Sequence, residues 1–480
     1  MAARYGARRY SLFCVLIISA AGLLAARIAL GTPYNVHPDE FIHVDAFCYF
    51  EAHAWLPPLN LNGLNYGPEG ASRVYESEIV YWVFGRSAAG VDWVRGLGAA
   101  PPAPAPAPPA SNLSPRQFLP MAISAAIIIG PEQAQCIAGR YFDFRLFNTA
   151  LLIITLVILF GVGVKHAWAA AIGMALVCLP QVVYIYGYAN SDGWALSFAI
   201  FLLVFAMAER HPLRSLRTGA LLGLLTGIVL LSKQSVWPAL PFAYALVGYR
   251  AVQDWRAAKA AWLRAPGRPG ALAAAVALIV IMPMRVWYPL SQGGHLADQL
   301  AQIREDRASP GFKPSDPYAP GRQLRTKGIG LDQVVFNRYW METSADSFYG
   351  RFGYQYYPAP AAAYGLALAL AVLNGLLSVR VMRRHWQNLP DELRLGLMAA
   401  PCLLVVCVGA SLYNSWTHDF QPQGRYILLA VVPVALWMWG TLPWESPRLR
   451  ALRLISAAVL LVLCAYVLRH VVFLYPAFQL

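Results

Sequence analysis

Long apolar runs broken by short polar clusters set the pattern of this chain. Runs long enough to cross a bilayer fall near residues 10–30, 142–164, 167–187, 192–208, 218–232, 235–250, 270–290, 361–380, 394–413, 426–443 and 454–475. About 20 predominantly apolar residues in a helix span the hydrocarbon core, so the pattern predicts an all-α polytopic membrane bundle of about 11 transmembrane helices. The two runs between 218 and 250 are short for that role. Two stretches, 31–141 and 291–360, are too polar and too long to be turns. They are read as two long outer loops with interfacial helices, attached to a single integral-membrane domain covering residues 1–480.

Charge orients this bundle. Lys165, the group Arg210, Arg214 and Arg217, the group Arg250 to Arg268, the group Arg380, Arg383 and Arg384, and the group Arg448, Arg450 and Arg453 all fall on alternate connections. By the positive-inside rule those connections, with Arg4, Arg8 and Arg9 at the N-terminus, face the cytoplasm. Of the 24 acidic residues, only Glu209, Asp254, Asp391, Glu392 and Glu445 share that side. Carboxylate chemistry is therefore expected on the outer face. The chain is 58% hydrophobic and 13% charged, outside the range of a soluble domain. Its formal charge of +14 comes in short clusters between apolar runs and not as a basic stripe, which argues against nucleic acid. The basic N-terminal segment and first run resemble a signal peptide but lack a small-residue cleavage site before a soluble domain, so a retained anchor is expected. An integral protein of a bacterial inner membrane, with a cytoplasmic N-terminus and a periplasmic site, is the resulting expectation.

Other features add less. Residues 99–110 are almost all Ala and Pro, a spacer composition, and the apolar stretch 118–129 is too short to span and reads as interfacial or re-entrant. Tyr354, Tyr356 and Tyr357 read as interface anchors. Five of the seven cysteines lie in apolar runs and read as small buried hydrophobes. Cys48 and Cys136 fall in the first outer segment. They match no metal-ligand spacing and, with their separation in space unknown, are read as two separate thiols.

The densest polar cluster follows the first run: Val36-His37-Pro38-Asp39-Glu40-Phe41-Ile42-His43. Pro38 suits the first position of a helix, which would place Asp39 and Glu40 in the opening turn, where the dipole favours their ionised forms. Spacings of four and three would then let His43 meet either carboxylate. An acidic turn often only stabilises its helix. A cluster of this density against a membrane span is costly to place and marks a candidate site. Further outer features are Asn190-Ser191-Asp192, Ser232-Lys233-Gln234, and Gln423-Gly424-Arg425-Tyr426 at the start of an apolar run. Arg425 there combines a planar fork with the amides of a helix N-terminus, a fitting arrangement for phosphate.

No Walker A loop, dinucleotide fingerprint, zinc-protease motif or nucleophile elbow occurs. The remaining pattern resembles the GT-C superfamily of membrane glycosyltransferases, through one span followed by an outer loop with His37-Pro38-Asp39-Glu40 and His43. The later pieces, Asn190-Ser191-Asp192, Ser347-Phe348-Tyr349-Gly350-Arg351-Phe352-Gly353 and Gln423-Gly424-Arg425-Tyr426, are similar to a bacterial branch of membrane proteins. The resemblance implies transfer of a sugar from a polyprenyl-phosphate donor to a glycolipid or polysaccharide acceptor, with inversion. Asp39 or Glu40 would be the base and His43 would orient it or touch the donor. Lys233, Arg351 and Arg425 would hold the phosphate, with His37, Asp192, Gln423 and Tyr426 as further pocket candidates. No cofactor is expected, because Asp39, Glu40 and His43 offer fewer ligands than a hard divalent cation recruits. A transporter or flippase for polyprenyl-linked sugars and a non-catalytic partner in envelope assembly are the rival readings.

Overall fold

Each apolar run forms helix in the computed structural model, which describes residues 2–59, 64, 66–76, 78–96, 131–258, 267–316, 323–353 and 355–472. Helices α1 (Ala2–Gly31), α2 (Glu40–Ala52), α3 (Ile79–Gly96) and α4 (Pro131–Gly163) open the chain. Then come α5 (Ala167–Cys178), α6 (Pro180–Ile185), α7 (Asp192–Ala208), α8 (Leu216–Leu230), α9 (Ala239–Ala258) and α10 (Gly267–Ile281). The second half holds α11 (Tyr288–Ser291), α12 (Leu296–Arg307), α13 (Trp340–Gly350), α14 (Ala361–His385), α15 (Asp391–Thr417), α16 (Val431–Trp439) and α17 (Pro447–Val472). Among the described residues the only sheet is a two-residue pair, β1 (Arg351–Phe352) antiparallel to β2 (Tyr357–Pro358). The chain is an all-α integral membrane protein. By length and composition, 7 helices among the described residues can cross a bilayer, and α5, α7 and α8 are shorter apolar helices.

Several expectations are corrected. The run 167–187 is two helices, because Pro180 lacks an amide hydrogen and starts α6 at its first turn. The helix expected from 142 begins at Pro131, so the last residues of the first outer segment are helical. Cys48 and Cys136 are joined in a disulfide with Cα atoms 5.9 Å apart, tying α2 to the start of α4; they are not separate thiols. Sequence could not bring together residues separated by 88 positions. The Ala-Pro run, the stretch 118–129 and Tyr354 lie outside the described residues.

Both long polar segments carry helices. In the first, α2 packs on α3 and α4. A Cβ at Gly85 of α3 would meet the backbone of α2 at Phe50 and Glu51 within 2.7 Å, so only glycine allows the approach. In the second, Leu324, Val334 and Trp340 form a small separate core against Trp416 and Phe420 at the end of α15. These helices cap one end of the bundle, where α1, the α6–α7 connection and the start of the 3-10 segment Gly424–Ala430 also converge.

Candidate functional site

Asp39 does not enter the helix. It is the N-cap of α2, in the left-handed region with φ 59° and ψ 12°, and its side chain caps no amide. Aspartate tolerates this conformation better than most residues. Consequently Pro38 precedes the cap, and Asp39 does not lie over His43. The carboxylate turns instead to two arginines. Oδ2 is 3.3 Å from Arg425 Nη2 and 3.7 Å from Arg73 Nη2, and the side chain keeps 21% of its surface exposed.

Glu40, one residue on, has a different fate. Arg145 Nε donates to its Oε1 and Arg145 Nη2 to its Oε2, both at 2.7 Å, with both side chains fully buried. The amides of Asn35 and Ala189 also donate to Glu40. With its oxygens engaged this way, Glu40 has no free face for a substrate proton. Arg145 further caps the carbonyls of Ala29, Thr32 and Pro33, joining the end of α1 to α2 and α4.

The histidines are likewise turned inward. His37 Nε2 bonds Thr32 Oγ1 and its Nδ1 bonds Tyr184 Oη, each at 2.8 Å, while its ring stacks on Tyr188. His43 shares a 2.7 Å bond between Nδ1 and Tyr81 Oη and, against the expectation from spacing, its ring has no hydrogen bond to the carboxylate of Asp39 or Glu40 among the described residues; its buried Nε2 has no partner. Burial, and then Arg73, Lys233 and Arg425, hold the His43 imidazole well below its usual pKa, so it is neutral.

Across from Asp39, the turn before α7 is built by Asn190, whose Oδ1 accepts from the amides of Asp192 and Gly193. Asn148 of α4 holds that turn through the carbonyls of Tyr188 and Asn190. Asp192 Oδ1 takes a 2.7 Å bond from Lys233 Nζ, and its buried Oδ2 has no partner. Gly424 fixes Arg425 in place. A Cβ there would collide with the backbone of α13 at Ser347 and Phe348, and the Gly424 amide donates to Ser347 Oγ. Arg425 then donates through Nη2 to Tyr426 Oη at 3.2 Å, lies over the Tyr426 ring, and joins Asp192 and Tyr426 in lining one small crevice. Its Nε and Nη1 are buried and unpartnered.

Thus Asp39, Asp192, Lys233, Arg425 and Tyr426 come together. Gln423 is half-buried beside them, with its backbone carbonyl accepting from the Tyr426 amide. Arg351 is placed otherwise. Its strand sits near His37 through the bond from the Gly353 amide to Tyr184 Oη, yet among the described contacts no side-chain bond links Arg351 to Lys233, Arg425 or Asp39. Its buried Nε is also unpartnered.

Sequence reading missed Arg73, Glu78, Glu69 and Arg145. Arg73 pairs with Glu76 at 2.5 Å as well as Asp39; burial opposes its charge, but Glu76, Tyr81 and Asp39 outweigh it. Burial and then Glu76 push the Glu78 carboxyl up to about 7. Burial and then Asp39 also raise Glu69. Arg145 did leave a signal: Arg145, Asn148 and Thr149 stand at spacings of three and four in an otherwise apolar run, one polar face of α4. The acidic and basic residues around 69–78 sit in a stretch without periodicity, which gives no such cue. Among the described residues no group of three or more His, Cys, Asp or Glu side chains could hold a metal ion.

The site therefore presents a partly exposed carboxylate between guanidinium groups that retain unused donors. That arrangement can take an anion on the cationic side and a proton on the carboxylate. No curated protein and no solved structure matches the chain. The match to a family of predicted membrane proteins (DUF2142) covers residues 109–437, most of the chain, from beyond the Asp39 segment through Arg145, Asp192, Lys233 and Arg425. The protein belongs to that membrane-protein family.

Proposed function

We propose that the protein is an inverting membrane glycosyltransferase of GT-C type, moving a sugar from a polyprenyl-phosphate donor to a glycolipid or polymer-linked acceptor. The observation that carries this reading is Arg425, whose buried Nε and Nη1 have no hydrogen-bond partner while its Nη2 lies 3.3 Å from the half-open carboxylate of Asp39. A buried donor left unsatisfied costs about 1–3 kcal/mol, which an anionic ligand would recover. A phosphate suits the planar fork, and Lys233 stands by as a second cation through Asp192.

On this reading the arginine pairs of Asp39 are the resting state. The donor phosphate competes for Arg425 and Arg73, and Asp39 is released to act as base. The acceptor hydroxyl then attacks the anomeric carbon as its proton passes to Asp39. The bond from that carbon to the phosphate oxygen breaks, and its electron pair leaves on the phosphate, stabilised by the arginines. Glu40 and His37 position this machinery without touching the reacting atoms.

The Cys48–Cys136 disulfide supports a location on the oxidising, periplasmic side of an inner membrane. The test supplies membranes containing the protein with labelled polyprenyl-phosphate sugars and follows label into endogenous acceptors. Label transferred by the wild type and lost in Asp39→Asn is expected. Equal labelling in membranes with and without the protein, across the donor sugars, would sink the transferase reading.

A further inference from the structure

A second charged cavity lies at the other end of the bundle. It is formed where the C-terminal end of α14 meets the Leu442–Trp444 turn and the start of α17. Arg425 and Trp444 are at opposite ends of one membrane-length segment, Gly424–Trp444, about 30 Å apart along a helical rise. The cavity measures about 410 Å³ and is lined on its polar side by Arg380, Arg384, Arg448 and Glu445, and on its apolar side by Trp444 and Leu452.

We infer that this cavity binds the headgroup of an anionic phospholipid. Three observations carry the inference, and none depends on the proposed activity. First, Arg380, Arg384 and Arg448 are exposed and have no carboxylate partner among the described residues. Three uncompensated guanidinium groups in one concavity suit a phosphodiester.

Second, the one lining carboxylate is already neutralised from below. Glu445 pairs with Arg453, both fully buried, and Arg453 is held in turn by Asn374, Ser378 and Thr441. The cavity therefore keeps its net positive charge. Third, the cavity opens between helices long enough to cross a membrane, and Leu452 and Trp444 offer an apolar flank where acyl chains would run. A zwitterionic lipid would leave the arginine charge uncompensated. A free phosphate ester would leave the apolar flank bare.

Trp444 reports on occupancy. The full-length protein in phosphatidylcholine micelles is titrated with phosphatidylglycerol bearing brominated acyl chains, and the tryptophan quench is compared with that of Trp444→Phe to isolate the residue. Saturable quenching of Trp444 by the glycerol lipid is expected, with apparent affinity reduced at least fivefold in Arg380→Ala/Arg384→Ala. Brominated phosphatidylcholine and phosphatidylethanolamine should give only non-saturable quenching. Equal quenching by all three lipids, or unchanged affinity in the double variant, would overturn the site. Displacement of the lipid by millimolar glycerol phosphate would overturn the lipid assignment in favour of a soluble phosphate ester. Should the double variant fail to purify as a single species, Arg448→Gln, at an exposed side chain, gives the same readout.

Discussion

Arg145 grips Glu40 through two parallel hydrogen bonds of 2.7 Å, both side chains fully buried, while the adjacent Asp39 points the other way towards Arg425. Two neighbouring carboxylates are thus separated into a structural member and a partly open one. The left-handed backbone at Asp39 produces the division, because it turns the chain between the two side chains.

Stability should tell these carboxylates apart. Glu40→Gln leaves Arg145 buried without its counter-charge and is expected to cost about 3–5 kcal/mol. Asp39→Asn should cost less than about 1 kcal/mol, since asparagine also accepts the left-handed conformation. Urea unfolding of the two variants in detergent measures the difference, and equal losses would contradict the assignment. Asp39→Ala should be less stable than Asp39→Asn, by about 1–2 kcal/mol, through strain at φ 59°.

Replacement of Arg425 tests the anion site. Arg425→Lys keeps the charge but loses the planar fork, so on the proposed function transfer should drop about 10- to 100-fold, a loss of about 1.4–2.8 kcal/mol in transition-state stabilisation. Arg425→Ala should fall further. Initial rates with the lipid donor varied and the acceptor saturating provide the measurement. A lysine variant at the wild-type rate would move the phosphate elsewhere, with Lys233 the next candidate.

The pH dependence of stability should carry the signature of Glu78. Its folded pKa, raised to about 7 by burial and Glu76, exceeds the ordinary carboxylate value of 4.5. The protonated native form is therefore favoured. The stabilising effect is complete below about 4.5 and is lost as pH rises through about 7, amounting to about 3 kcal/mol at most. Glu78→Gln should consequently gain stability relative to the wild type at pH 8.5 compared with pH 5.5. Melting temperatures of both proteins at the two pH values decide it, and a constant difference would contradict the shift.

The disulfide gives a chemical prediction. Alkylation of the denatured protein without reductant should modify five cysteines, and with reductant all seven. Intact mass spectrometry distinguishes the two. Cys48→Ala/Cys136→Ala should lose about 2–4 kcal/mol, as expected for releasing a loop closed over 88 positions.

The length of the apolar runs determined the membrane bundle, because burying backbone amides in lipid leaves helix as the available structure for an apolar run. Every run identified in the sequence is helical, from residues 10–30 in α1 to 454–472 in α17. Local sequence also marked Asp39, Asp192, Lys233 and Arg425 as charged residues at helix ends. The choice between Asp39 and Glu40 was not local. It depends on Arg145, 105 positions beyond Glu40, and on a backbone angle that no residue spacing encodes. The Cys48–Cys136 bond and the arrival of Arg73 beside Asp39 likewise required distant segments to fold together. Spacing along a helix reports which residues share a face. Only tertiary packing decides which of them are neutralised by partners and which remain open to a ligand.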